Sequence, residues 1–251
     1  MNSLVSIITP VYNTKPFLQK TAASVIGQTY ANWEWVLVDD LSTDGSIELL
    51  QSLSKKDKRI KPHFLTKNQG SGPARNVATK LAQGKYIAFL DSDDIWIKEK
   101  LQIQVAFMQK NQYAFSHTSY GFIDAMDAVI KNTYHVSKNP VTYEMLLKRT
   151  EISCLTAMYN QEIIGKMYMP DLRRKQDYAL WLSILKKGFK SYQLDIETAY
   201  YRQHGASATS NKLKLIGKHW VFLYSYEKLN FVKSTYYTLS WGLSGFKKYY
   251  M

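Results

Sequence analysis

The stretch WEWVLVDDLSTDGSIELLQSL, Trp33 to Leu53, decides how the chain is read. A β-branched and apolar run ends in paired acids, Asp39-Asp40. Ser42, Thr43 and Asp44 then stand as N-cap candidates ahead of a helical run. Apart from Glu34 the run is apolar rather than alternating, as suits a strand buried on both faces of a parallel sheet. The same strand–loop–helix unit recurs on both sides. LVSIITPVYN (4–13) leads into KPFLQKTAASVIGQTY (15–30), with Leu18, Ala22, Val25 and Ile26 at helical spacing. RIKPHFL (59–65) leads through a glycine loop into a helix closed by Gly84. KYIAFL (85–90) leads through acids into a helix over 97–111. Such alternation predicts right-handed βαβ units and an α/β fold with a mostly parallel sheet, whose ligands bind beyond the carboxyl ends of the strands.

The pattern changes after residue 112. YAFSHTSYGFID (113–124) and AVIKNTYHV (128–136) read as antiparallel strands. SCLTAMYN (153–160) and ETAYYRQHG (197–205) read as further strands, and DYALWLSILKKG (177–188) as a helix. The last forty residues read as two helices in which seven Lys and one Glu are interleaved with aromatics.

With 251 residues the chain is long enough for one large domain, or a domain with an appendage. Its single cysteine, Cys154, excludes an internal disulfide framework and a cysteine-based zinc site, and fits a reducing cytoplasm. The N-terminus lacks the basic and long apolar regions of a signal peptide. No run reaches roughly 18 apolar residues, so no transmembrane helix is predicted. The net charge of +13 points to a polyanionic partner: nucleic acid, an anionic membrane or a phosphorylated substrate. No reading helix or RNP-like aromatic set accompanies it, so nucleic acid is not expected.

Five constellations carry chemistry. In Asp91-Ser92-Asp93, residues i and i+2 of an extended segment face one side, so two carboxylates can share one ion. Oxygen donors without His or Cys favour Mg²⁺ or Mn²⁺, which would relieve their mutual repulsion and bridge a diphosphate. A solvated helix N-terminus is the plainer alternative, with Asp94 as a helix cap. An EF-hand loop is excluded by Trp96 at the glycine position. Asp40 can accept from a base N–H or a ribose hydroxyl. Arg75, near a helix N-terminus, suits phosphate, although GSGPAR is neither a dinucleotide fingerprint nor a P-loop. Asp177, opening a helix, is a cap or a general base, and Trp181 one turn on is core or a platform for a sugar ring. Arg202 and His204 alternate on a strand and so face one way, toward a phosphate or metal or into ordinary structure.

Taken in order, VSIITPVYN, IGQTYANWEWVLVDDLSTDGS, GPARNVA, GKYIAFLDSDD, QDYALWLSILKKG and YYRQHGAS resemble the family 2 glycosyltransferases of GT-A fold over about residues 3 to 210. The smaller bacterial enzymes that build capsule, O-antigen or teichuronic acid are the nearest type. The resemblance implies a Rossmann-like, mostly parallel sheet flanked by helices in residues 1–210. Residues 1–112 would form a nucleotide-binding half and 113–210 an acceptor-binding half, followed by a basic, aromatic helical extension at 211–251. It implies an inverting, Mn²⁺- or Mg²⁺-dependent transfer from a nucleoside diphosphate sugar, a UDP-sugar above others. The acceptor would be a glycan linked to a polyprenyl diphosphate, at the cytoplasmic leaflet. Residue by residue, Pro10 and Tyr12 would touch the base, Asp40 would bind uracil, and Arg75 and Ser92 would approach the nucleotide. Asp91 would lie near ribose and metal, with Asp93 as direct metal ligand. Asp177 would be the base, and Arg202 and His204 would hold diphosphate or metal. Gln176 and Trp181 would meet the acceptor. Gln176 replaces the glutamate usual in this family, which removes a charge beside the base.

Overall fold

The computed structural model describes residues 2–203 and 212–250. The first half runs β1 (Val5–Val11), α1 (Lys15–Ile26), β2 (Trp33–Asp39), α2 (Ser46–Lys56), β3 (Ile60–Phe64), α3 (Ser71–Leu81), β4 (Tyr86–Phe89), β5 (Ile95–Trp96) and α4 (Lys100–Asn111). The second half adds β6 (Phe115–Ile123), β7 (Val129–Tyr134), α5 (Tyr143–Lys148), β8 (Met158–Asn160), α6 (Gln161–Ile164), α7 (Gln176–Lys186) and β9 (Tyr192–Arg202). Two tail helices follow, α8 (Lys212–Val221) and α9 (Phe231–Tyr250), joined through a π-helical turn at Phe222–Tyr226.

One sheet runs through both halves in the order β3-β2-β1-β4-β8-β6-β9-β5, with β7 on β6. The block β3-β2-β1-β4 is parallel, as the buried, non-alternating β1, β2 and β4 predict, while β3 at the sheet edge is only partly buried. β8 then joins β4 and β6 antiparallel, while β6 and β9 pair parallel, a partnership no local pattern announces.

Period-two alternation divides the core. Ile7, Trp35, Leu37 and Ala88 face α1 and α4 on one side of the sheet. Ile8, Val36, Val38, Ile87 and Phe89 face α3 and α7 on the other. Chain order runs from β1 outward to β3 and then returns through α3 to β4 on the opposite side of β1. That reversal opens a crevice at the carboxyl ends of β1 and β4, where α/β sheets take ligands.

Several element ends differ from the sequence expectations: α3 is closed at Ala82 rather than Gly84, and Gly45 rather than Ser42, Thr43 or Asp44 is the N-cap of α2. The helix after the acids starts at Lys100, because Ile95 and Trp96 are drawn into antiparallel pairing with Tyr200 and Ala199. Asp94 is therefore not its cap. The expected strand over 153–160 begins with a 3-10 turn at Cys154–Thr156, leaving only Met158–Asn160 extended.

The tail packs on the domain. His219, Phe222 and Leu223 are buried. Trp241 Nε1 donates to Thr150 Oγ1 at 2.8 Å, and Tyr143 OH donates to Glu227 Oε1 at 2.7 Å. The opposite face of α9 leaves Val232, Tyr236, Leu239 and Leu243 exposed. Their spacing of i, i+4, i+7 and i+11 places them in one stripe. Among the described residues no helix is long and apolar enough to cross a membrane.

Candidate active site

The loops after β1, β2 and β4 surround a cleft of about 370 Å³. Local polar chemistry sets their shape. Asn13 takes the left-handed region (φ 51°), which asparagine tolerates, and its Oδ1 accepts from the Thr43 N–H at 2.8 Å. The Asn13 N–H in turn donates to Ser42 Oγ at 3.0 Å, tying the β1 and β2 loops together. Of the paired acids, Asp39 turns inward and accepts from the Ser42 N–H at 2.9 Å. Asp40 lines the cleft, and its carboxylate accepts from the backbone N–H groups of Gln69 (2.8 Å) and Gly70 (2.6 Å). It thereby holds the loop that opens α3. Each carboxylate oxygen can accept twice, so capacity remains for a ligand N–H.

Pro10 is buried at the end of β1, while Tyr12, 52% exposed, stands at the rim. Arg75 rises from the first turns of α3, and its Nη2 donates to Asp91 Oδ1. Burial alone would weaken the guanidinium charge; the surrounding negative charge, Asp91 foremost with Asp177 adding to it, outweighs this and keeps it charged. Ser92 is buried, and its hydroxyl accepts from Thr14 Oγ1 at 3.0 Å. Asp93 is half-buried on the same wall. Asp94 points away, and its Oδ1 accepts from the Arg202 N–H at 2.9 Å, clamping the acidic loop to β9.

Arg202 is not at the cleft surface. Its side chain is fully buried, donating from Nε to the Asp93 carbonyl at 2.6 Å and from Nη1 to the Asp124 carbonyl at 2.8 Å and to Asp127. A guanidinium so enclosed braces the acidic loop from behind rather than meeting a diphosphate directly. Its Nη2 has no partner among the described residues. His204 lies outside the described residues.

α7 brings the remaining candidates from the other half. Gln176 is buried against α3: it accepts from Ser71 Oγ at 3.2 Å and donates to the Leu172 carbonyl at 2.5 Å. It also fills the space beside Gly72, where an added Cβ would stand 2.6 Å from Gln176 Nε2. Gln176 is thus a joint between α3 and α7 more than an acceptor-facing group. Asp177, next along, is half-buried. Desolvation pushes its carboxyl up from the ordinary aspartate range, against the pull of Arg75, and Asp91 adds to the rise. Trp181 is fully buried, its ring 5.3 Å from those of both Phe89 and Phe115. With no exposed face it cannot stack on a sugar, and the core alternative holds.

Sequence reasoning missed the pairing of Arg75 with Asp91 and the contributions of Thr14, Asn68, Gly70 and Ser71 to the cleft wall. Only the turn-forming character of Asn68 and Gly70 could have drawn notice.

Among the described residues, no cluster of three or more His, Cys, Asp or Glu could hold a metal. Three carboxylates line the cleft: Asp40, held by the Gln69 and Gly70 N–H groups, Asp91, in contact with Arg75, and Asp93. That set cannot form a closed all-protein cage. It does fit a hard cation that keeps waters and takes further oxygens from a substrate diphosphate, for which one or two carboxylates suffice.

A switch-point cleft of acids and one arginine on a mostly parallel sheet, with Asp177 in electrostatic reach, has the architecture of a GT-A glycosyltransferase. The chain belongs to glycosyl transferase family 2, whose model matches residues 6–166. It is 42% identical over 245 residues to a Bacillus subtilis glycosyltransferase named for teichuronic acid biosynthesis, TuaG, covering 98% of this chain and 97% of that one. It is 38% identical over 247 residues to WfgD of Escherichia coli, a UDP-Glc:α-D-GlcNAc-diphosphoundecaprenol β-1,3-glucosyltransferase, covering 98% and 95%. The fold matches S. aureus TarS 1–349 in complex with UDP-GlcNAc, with a TM-score of 0.69, 21% identity, and 97% of this chain and 72% of that one covered.

Proposed function

We propose that the chain transfers a sugar, with inversion, from a UDP-sugar to a hydroxyl of a lipid-diphosphate-linked glycan during bacterial surface-polysaccharide synthesis. The convergence of Asp40, Arg75, Asp91 and Asp93 on one switch-point cleft, with Asp177 within electrostatic reach of Arg75 and Asp91, carries this reading. The names of TuaG and WfgD supply the polysaccharide context, the UDP-linked donor and the lipid-linked acceptor.

In this reading residues 1–112 seat the nucleotide: Tyr12 and Pro10 bound the base, Asp40 accepts its N–H, and Asp91 meets the ribose side. Residues 113–210 bring the acceptor. The acceptor oxygen bonds to the anomeric carbon from the side opposite the diphosphate. The C–O bond to the diphosphate breaks, and UDP leaves with its electron pair. Asp177 takes the hydroxyl proton, which is the one base a single displacement needs. Asp93, with Asp91 beside it, would hold Mn²⁺ or Mg²⁺, whose charge would offset that of the leaving diphosphate. Ser92 and Thr14 keep the acidic loop in place. Arg202 braces that loop.

A thermal-shift screen with UDP-, GDP- and dTDP-sugars, each with and without Mn²⁺, tests the donor. The expected result is a metal-dependent rise for UDP-sugars above the others, with UDP released during turnover. Pyrophosphate release would instead indicate a nucleotidyltransferase, and no shift with any nucleotide would sink the reading.

A peripheral position on the inner face of the cell membrane belongs to the same proposal. The apolar stripe of Val232, Tyr236, Leu239 and Leu243 lies on a helix with no acidic residue and with Lys233 beside it. Such a face suits the interface of an anionic bilayer. Leu239→Asp/Leu243→Asp, on exposed positions, should lose co-sedimentation with anionic vesicles while keeping its melting temperature. Undiminished co-sedimentation would remove α9 from the membrane role.

A further inference from the structure

A second cavity, of about 390 Å³, lies between residues 172–175, which lead into α7, and the tail at α8 and its π-helical turn. Its volume is that of a small-molecule site. The stems of four basic residues border it: Arg173, Arg174 and Lys218, which are exposed at its rim, and Lys175, whose Nζ turns to His219. No carboxylate is among its described lining residues, and among the described residues none of these cations is in an ion pair. The rest of the wall is apolar, chiefly Leu172, Val221 and Phe222, and Val221 is 54% exposed at the mouth. Unneutralised positive charge beside an apolar channel is complementary to an amphiphile with an anionic head and a hydrocarbon tail.

Its place relative to the base is the second observation. Lys175 is the residue before α7 and stands two positions from Asp177. It takes the left-handed region (φ 61°), uncommon for lysine, and the tail supports it there. Its Nζ meets His219 Nδ1 and lies 4.9 Å from the Trp241 ring centroid. Burial pushes the Lys175 ammonium down to about 7, a cost that an anion in the cavity would offset. Two residues span at most about 7 Å of backbone, so the segment that borders the cavity leads directly to Asp177.

We infer that this cavity, built jointly by the 172–175 segment and the tail, holds the diphosphate and first isoprenoid carbons of the acceptor, so that its sugar is presented to Asp177. The inference rests on the acceptor class proposed above and deepens it. Arg173, Arg174 and Lys218 would take the diphosphate oxygens, and Val221 with Phe222 the first carbons of the chain. Lys175 and the tail residues His219 and Trp241 would be positioning residues for the segment that carries the base.

Farnesyl diphosphate serves as the probe, with inorganic diphosphate and farnesol as controls. Binding is measured to the full chain in saturating UDP, so that the nucleotide cleft is occupied. Farnesyl diphosphate should bind more tightly than either control. Arg173→Ala/Arg174→Ala should weaken it about tenfold or more while leaving UDP affinity unchanged. Val221→Asn, which adds polarity without charge, should weaken farnesyl diphosphate and leave inorganic diphosphate unaffected. Equal farnesyl diphosphate binding by wild type and the double-arginine variant, or binding no tighter than inorganic diphosphate, would overturn the inference. The donor reading is scored separately by the nucleotide-sugar shifts. If these fail while the lipid diphosphate still binds and is lost in the variant, the donor assignment falls and the cavity stands.

Discussion

Replacing Asp177 with asparagine is expected to lower kcat by about 10²–10⁴-fold, the usual contribution of a positioned general base. The amide keeps the shape of the carboxyl but cannot take a proton from the acceptor hydroxyl. UDP-sugar affinity should be unchanged, since Asp177 is not among the residues lining the nucleotide cleft. Stability separates this from a folding defect. Burial raises the Asp177 carboxyl in the folded chain, so its ionised form carries a cost at neutral pH that asparagine lacks. The variant should therefore melt no lower than wild type at pH 7. The same shift sets the pH profile. The base works only when ionised, so wild-type kcat/KM should fall as pH drops through a value above the ordinary aspartate range. That acid limb should be absent from the residual activity of the variant. Near-wild-type transfer by Asp177→Asn with intact nucleotide binding would mean that another group is the base.

Asp93→Ala is expected to cost on the order of a hundredfold or more in turnover, corresponding to a loss of a few kcal/mol of charge stabilisation at the leaving diphosphate. The fold should tolerate the change, because Arg202 grips the Asp93 carbonyl rather than its carboxylate. The direct readout is binding: the Mn²⁺-dependent part of the UDP thermal shift should disappear, while the metal-independent part remains. A full metal-dependent shift in Asp93→Ala would transfer the ligand role elsewhere, with Asp91 the next carboxylate on the wall.

Much of this was legible before any coordinates. The strands β1, β2 and β4 are each marked by a β-branched or apolar run with polar punctuation, and the acids after β2 and β4 sit at the strand ends where ligands bind. Asp40, Asp91 and Asp93 could be placed on one cleft because a parallel sheet brings the carboxyl ends of its strands together. The misplacements have a common origin. The resemblance implies that Trp181 meets the acceptor and Arg202 the diphosphate, yet both are enclosed by elements distant in sequence. Phe89 and Phe115 close over the tryptophan, and the Asp93 and Asp124 carbonyls close over the arginine. Asp94 looked like a cap for the next helix, and β9 claimed it instead.

By itself the sequence determined the alternating β/α order, the family membership its motifs express, and the residue types at the cleft. These follow from periodicity and turn chemistry, which act over a few residues. Only the tertiary structure decided which charges meet. Arg75 pairs with Asp91 because α3 and β4 are adjacent in space. Asp177 comes within electrostatic reach of that pair because α7 abuts the start of α3 through Gln176, Ser71 and Gly72. The cationic cavity forms where residues 172–175 meet a tail that follows some forty residues later. Burial and Coulomb interactions depend on through-space distance, and that distance is settled by how the sheet stacks its helices, not by position along the chain.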